Sequence, residues 1–376
     1  MTSTPVATRP DPVDWQTARR VARAIARKDR LSDSYLAASL AADFGRVTTE
    51  AESLVADFTG LRAPTAAHAG VMDRQAWIDA NVASMQRMLS SFTQRIGERL
   101  TRGPVSAVGR QFAGTEMGML LGYMSQRVLG QYDLLVPEEP QLGAGATNGA
   151  ATTADAVYYV GPNVLALEKR FAFRPLEFRR WIAIHELTHR AQFTAVPWLR
   201  AHFLSLVDDT LGSVDPDPRV LVRALARAAE SLSRGRNPFD EAGVVGLFAN
   251  DHQRELISRV QALMSLLEGH GNYVMNELGL QHVHGVHRME RVLHARRQVG
   301  GLAGQINKML GLEMKLRQYE VGERFVRAVV REANFAALDA AWESPASLPT
   351  LAELDDARMW LTRVGAARPA RRRLAR

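Results

Sequence analysis

The 376-residue chain has no cysteine, which excludes disulfides, thiolate metal sites and cysteine nucleophiles together. Lysine is nearly absent too. It stands only at Lys28, Lys169, Lys308 and Lys315, so arginine supplies the rest of the 47 basic residues. That bias reads as coding composition rather than function, since helices accept either residue. Long apolar runs are also missing: stretches such as Met117–Met124 fall far short of the roughly 20 residues a membrane-spanning helix needs. The polar, proline-containing start, Met1 to Asp14, lacks the apolar core of a secretion signal. A cytoplasmic protein without a membrane partner is therefore the expectation.

The formal charge of +7 resembles a nucleic-acid signature, but it is largely a tail effect. Arg368, Arg371, Arg372, Arg373 and Arg376 crowd residues 364–376, which carry no acid, and only +2 is left for the rest. Residues 365–376 are expected to form a basic, disordered tail. No nucleic-acid partner is expected. Had the tail been a binding arm, its removal would abolish a salt-dependent affinity.

With 46% hydrophobic residues the chain can build a large core. Helical periodicity dominates. Residues 14–29, 34–58, 73–100 and 104–131 each repeat apolar positions at three- and four-residue steps. In the last of these, Gly114, Gly118 and Gly122 line one face, the pattern of a helix packed closely on a neighbour. Residues 143–154 read as a flexible connection. They lead to Ala156–Val160, the best strand candidate, stopped by Gly161-Pro162-Asn163. Such a strand is either a short structural element or an edge along which an extended peptide could lie. Further helices are expected near 198–212, 217–235, 239–280, 286–297 and 301–334, with a turn at Asp215-Pro-Asp-Pro218. The expected fold class is mainly α with a small β element. Residues 1–140 would form an N-terminal helical region packed as one body on residues 141–364.

One segment has a spacing that dictates chemistry. Residues 185–189 read His-Glu-Leu-Thr-His within the apolar-periodic run Trp181–Phe193. Positions i and i+4 stack on one helical face, so His185 and His189 can offer two imidazole nitrogens to one ion. Glu186, about 100° around the helix, can handle a water at that ion without ligating it. Two neutral imidazoles beside a carboxylate base are the zinc-protease arrangement. A solvated surface helix is the bland alternative. Trp181, Ile182, Ile184, Leu187 and Phe193 argue against it, because they make the helix buried, and burying two histidines and a glutamate without partners is costly. Pro175 suits the first turn of that helix.

A catalytic zinc needs a third protein ligand. Glu268, in the apolar stretch 264–276, is the favoured candidate, and Gly269 and Gly271 beside it would admit a close approach. His270 competes, but on a regular helix it points about 200° from Glu268, so both are not expected on one ion. Asn272, one turn on, could orient an imidazole from behind. Six of the ten histidines fall between 252 and 294 at irregular spacing, and none besides His270 is a ligand candidate.

At this point the chain resembles a known family, the zincin-like metallopeptidases of actinobacteria and relatives. One branch of it carries the label of a hydrolase associated with coenzyme F-420 (deazaflavin) biosynthesis. The likeness rests on His-Glu-Leu-Thr-His-Arg-Ala-Gln-Phe at 185–193, Leu-Leu-Glu-Gly-His-Gly at 266–271 and Val274-Met275. It extends through Lys315-Leu-Arg-Gln-Tyr-Glu-Val-Gly-Glu-Arg-Phe325 and Trp342-Glu-Ser-Pro-Ala-Ser-Leu-Pro349. The resemblance implies zinc on His185, His189 and Glu268, and no defined substrate. Asn276 departs from the acid expected there in many relatives.

The favoured reading is a zinc-dependent metallohydrolase, a peptidase or amidase, with Glu186 as general base and a peptide or small amide as substrate. Tyr158, Tyr273, Tyr319 and His287 are candidates for stabilising the oxyanion, among which the sequence does not choose. The alternative is a non-catalytic zinc-binding protein associated with deazaflavin metabolism, which would have no need of Glu186.

Overall fold

The computed structural model describes residues 11–26, 31, 34–100, 107–132, 156–213, 250–297 and 312–366. The connection at 143–154, the helix expected at 217–235, the turn at 215–218 and all but the first two residues of the tail at 365–376 lie outside them. Helices dominate in chain order: α1 (Trp15–Ile25), α2 (Leu40–Thr59), α3 (Arg74–Leu100), α4 (Ala107–Ser125), α5 (Gly161–Phe171), α6 (Pro175–Ala195) and α7 (Leu199–Gly212). They continue with α8 (Asp251–His282), α9 (Val286–Arg297), α10 (Leu312–Glu332), α11 (Leu351–Asp355) and α12 (Ala357–Arg363). The mainly α class with a small β element is what the structure has. Among the described residues no helix is long and apolar enough to cross a membrane.

Three short strands, β1 (His68–Met72), β2 (Gly130–Tyr132) and β3 (Ala156–Val160), form one sheet in the order β1-β3-β2. β1 runs parallel to β3 with His68 opposite Ala156, and β2 runs antiparallel with Gln131 opposite Tyr158. The expected strand at Ala156–Val160 is therefore the middle of the sheet, and all five of its residues are buried. Among the described residues β2 is an edge strand, and it begins inside the helix expected over 104–131. That helix stops at Ser125, whose hydroxyl donates back to the Gly122 carbonyl, and the chain turns as the Arg127 and Val128 N–H groups both bond to the Met124 carbonyl. Three residues are too few for a period-2 pattern to register in sequence.

Four apolar clusters hold these elements together. The largest wraps α6: Phe178, Trp181, Ile184, Leu187 and Ala191 pack against Phe44, Val47 and Val55 of α2, Val157 and Tyr159 of β3, and Val274 and Leu278 of α8. A second joins α8 and α10 to α11 and α12 around Phe325 and Trp360. The third packs α1, α3 and α4 and includes Val160 of β3. The fourth seats α7 on α8 through Leu199, Leu206, Leu263 and Leu267.

Glycines set the closest helix crossings. Gly114, Gly118 and Gly122 of α4 lie against the backbone of α1, where an added Cβ would meet the carbonyl oxygens of Asp14, Ala18 and Ala22. Gly269 of α8 lies against Gly322 of α10, a crossing where a Cβ on either residue would overlap the opposing backbone. Such backbone-to-backbone approach needs residues without a Cβ.

Buried ion pairs tie α6 to its neighbours. Arg179, nearly inaccessible, donates from Nε and Nη2 to the two Glu168 carboxylate oxygens at 2.8 and 2.9 Å, and from Nη1 to Ser39 and Asp43. Arg190, directly after the histidine motif, donates to Glu52 of α2 at 2.5 Å and to the Thr65 carbonyl at 2.6 Å. Paired charges of this kind avoid the penalty of a lone buried guanidinium. They also fix the rotation of α6 and hence the direction of its histidines.

Candidate metal centre

α6 begins at Pro175, as the sequence led us to expect, with Glu177 in its first turn at the positive end of the helix dipole. Two turns on, it presents His185 and His189 on one face. Their Nε2 atoms are 3.2 Å apart, and the rings stand nearly perpendicular at 85°. α8 crosses α6 and contributes Glu268, whose Oε2 lies 3.3 Å from His189 Nε2 and 3.8 Å from His185 Nε2. Donors bound 2.0–2.1 Å from a tetrahedral ion stand about 3.3 Å apart, so three such atoms fit three corners of a zinc tetrahedron. Among the described residues this is the one group of three His, Asp or Glu side chains whose ligating atoms converge, all within 4.8 Å of one another.

Gly271 makes the crossing at this level. A Cβ there would stand 3.1 Å from His189 Cε1 and 3.4 Å from His185 Cε1, so glycine lets α8 lie flat on both imidazoles. The charges agree with a cation site. Burial disfavours protonated His189, yet the Glu268 carboxylate outweighs it and pushes the imidazole up to about 9.

Glu186 is buried beside the triad and does not join it. Burial pushes its carboxyl up to about 7, with His189 acting downward and Glu268 upward. It accepts a hydrogen bond from the Tyr132 backbone N–H of β2. Gly130 of the same strand lies so close that a Cβ there would come within 2.6 Å of Glu186 Cγ and 2.8 Å of Oε1. The edge strand thus lies directly against the carboxylate.

The remaining candidates separate. His270 is fully buried and turned from the triad: its ring packs between Phe335 and Trp342, with centroids at 5.8 and 5.3 Å, and its Nδ1 faces Gln192. Burial pushes it down to about 3, so it is neutral. Asn272 is buried, with an Oδ1 that has no hydrogen-bond partner, and no bond joins it to either imidazole. Tyr158 lies on the sheet face opposite α6, its ring over Gly70 of β1. Its neighbour Tyr159 takes the α6 side instead, stacks on Phe44 and bonds Thr48 at 2.8 Å. Tyr273 stacks on Phe335 beneath Arg327 in the second cluster. His287 is exposed near Glu290. Tyr319 belongs to α10, with its side chain outside the described set.

Sequence reasoning gave no role to two groups that matter here. Gln192, three residues after His189 and fully inaccessible, stands 2.9 Å from His189 Nδ1. The backbone of β2 at Gly130 and Tyr132 holds Glu186. The i, i+3 spacing from His189 was a usable signal for the first; nothing local marks the second.

The fold is mainly helical, and its central helix presents two histidines and a glutamate beside a carboxylate from a crossing helix, a group that could hold a metal ion. A family model for zincin-like metallopeptidases matches residues 13–361, and the chain belongs to that family. Among solved structures, the chain is similar to a crystal structure from Chloroflexus aurantiacus described as "a putative hydrolase with a novel fold". The two share 27% sequence identity at a TM-score of 0.64, over 94% of this chain and 99% of that one. No curated protein matches the chain.

Proposed function

We propose that this protein is a zinc-dependent metallohydrolase that cleaves a peptide or amide bond, with zinc held by His185, His189 and Glu268. The observation that carries the reading is the separation of roles: three donors at tetrahedral spacing, and a second buried acid, Glu186, beside them and outside the ligand set. When bound, zinc supplies Lewis acidity, polarising a carbonyl and lowering the pKa of a water to about 7.

The chain's own residues do the rest. Glu186 accepts the proton of the attacking water on its carboxylate and returns it to the departing amine nitrogen. A carboxyl raised toward neutrality by burial suits both halves of that transfer. An extended substrate would run along the outer edge of β2, where the Tyr132 N–H already turns away from β3 toward Glu186.

The test joins metal analysis with a cleavage screen. Purified protein should carry one zinc per chain and cleave members of a peptide library, and chelation should stop the cleavage. Cleavage that persists in the fully chelated protein would overturn the proposal.

A further inference from the structure

Resting on the zinc reading above, we infer that Gln192 is a positioning residue that sets the tautomer of His189 and locks the two ligand-bearing helices in register through His270. Gln192 is wholly buried, and each of its amide atoms has a partner. Its Oε1 stands 2.9 Å from His189 Nδ1, and a carbonyl oxygen can only accept, so His189 donates there from Nδ1. The lone pair of a neutral His189 is then left at Nε2, the atom facing His185 and Glu268. The other ring tautomer would put a hydrogen at the metal position and turn two lone pairs toward each other at Gln192.

The amide nitrogen of Gln192 is committed as well. Nε2 donates to the Leu267 carbonyl at 3.1 Å and to His270 Nδ1 at 3.0 Å, both on α8. Those acceptors fix which end of the side chain is oxygen, because a flipped amide would face a carbonyl with a carbonyl. Leu267 immediately precedes Glu268, and His270 follows it by two residues. One side chain thus bonds the second ligand directly and grips α8 on both sides of the third. His270 is in turn held by the rings of Phe335 and Trp342, so the relay is anchored in packed side chains beyond the site. The partner behind a zinc-bound histidine is commonly a carboxylate or backbone carbonyl. Here a neutral amide supplies the acceptor and, unlike either of those, can also donate across to the other helix.

The test measures zinc affinity by chelator competition on the full-length protein, with the melting temperature of the metal-free form recorded beside it. Gln192→Met keeps the length of the side chain and removes both halves of the relay, and it should weaken zinc binding by about 10–100-fold. Gln192→Glu keeps an acceptor for His189 Nδ1–H but sets its second oxygen against the Leu267 carbonyl, so zinc affinity should lie between that of Gln192→Met and that of the unaltered protein. His270→Phe keeps a ring between Phe335 and Trp342 and removes only the far acceptor, and its loss should be smaller than that of Gln192→Met. Unchanged affinity in Gln192→Met overturns the inference. So does a His270→Phe variant that binds zinc as tightly as the unaltered protein, since the relay is argued to run through that ring. Should Gln192→Met not fold, His270→Phe decides: weakened zinc at an unchanged metal-free melting temperature supports the relay, and unaltered affinity overturns it. Unaltered protein that takes up no zinc removes the metal reading and the relay with it, a result distinct from zinc bound equally by protein and variant.

Discussion

Helices α4 and α6 carry the same spacing and use it in opposite ways. In α4, glycines at 114, 118 and 122 place three missing side chains on one face, and the backbone of α1 fills the space. In α6, histidines at 185 and 189 place two donors on one face, and an opposing carboxylate from α8 completes a group that could hold a metal ion. Four-residue steps determine which positions share a face in both. The side chain decides whether that face is a packing seam or a site. The metal face borrows the other device too, since Gly271 of α8 opens the room in which the imidazoles lie. The comparison predicts that substitutions on α4 change stability alone, and those on α6 change metal and chemistry.

The largest expected effect is at the histidines. His185→Ala or His189→Ala leaves two ligands, and elemental analysis should find stoichiometric zinc gone from either variant. Zinc unchanged in both would dissolve the contrast between the helices. Glu268→Ala should follow closely, weakening zinc far more than His270→Ala, whose effect through Gln192 is at most about 10–100-fold. A chelator series with that order reversed would make His270 the ligand, against its position between Phe335 and Trp342.

Glu186→Gln separates ligand from base on the same helix. Zinc content and melting temperature should stay nearly unaltered while turnover falls by roughly 100-fold or more. A turnover equal to that of the unaltered protein on any cleaved peptide would leave Glu186 without its role. On the packing helix, a Cβ at Gly118 would come within 2.6 Å of the Ala18 carbonyl oxygen and 2.7 Å of Val21 Cβ. Gly118→Ala should therefore cost about 1–3 kcal/mol in denaturant unfolding, with zinc affinity unmoved. The smallest effect belongs to Gly271→Ala, where the nearest imidazole atom is 3.1 Å from the new carbon and needs to give only slightly. A loss in zinc affinity of about tenfold or less, at nearly constant stability, would show the two devices meeting at one residue.

What the sequence by itself determined is what a single helix determines. The pairing of His185 with His189, the offset of Glu186 and the glycine face of α4 follow from 3.6 residues per turn, the start at Pro175 follows from its missing N–H, and none of them needs a partner. Glu268 was legible for a related reason, since a carboxylate in an apolar helical stretch demands a cation from somewhere. Tertiary structure alone decided the rest. It brought Glu268 to His189, which lies 79 positions earlier in the chain, and gave Gln192 its two acceptors on α8. It put His270 among aromatic rings and outside the group of His185, His189 and Glu268. The phase of β3 sent Tyr159, and not Tyr158, to the α6 face. A three-residue strand, β2, carries no readable period, yet its backbone lies against Glu186. Backbone groups are the same at every residue, so which of them reaches a site is written in the packing of distant elements and not in the local string.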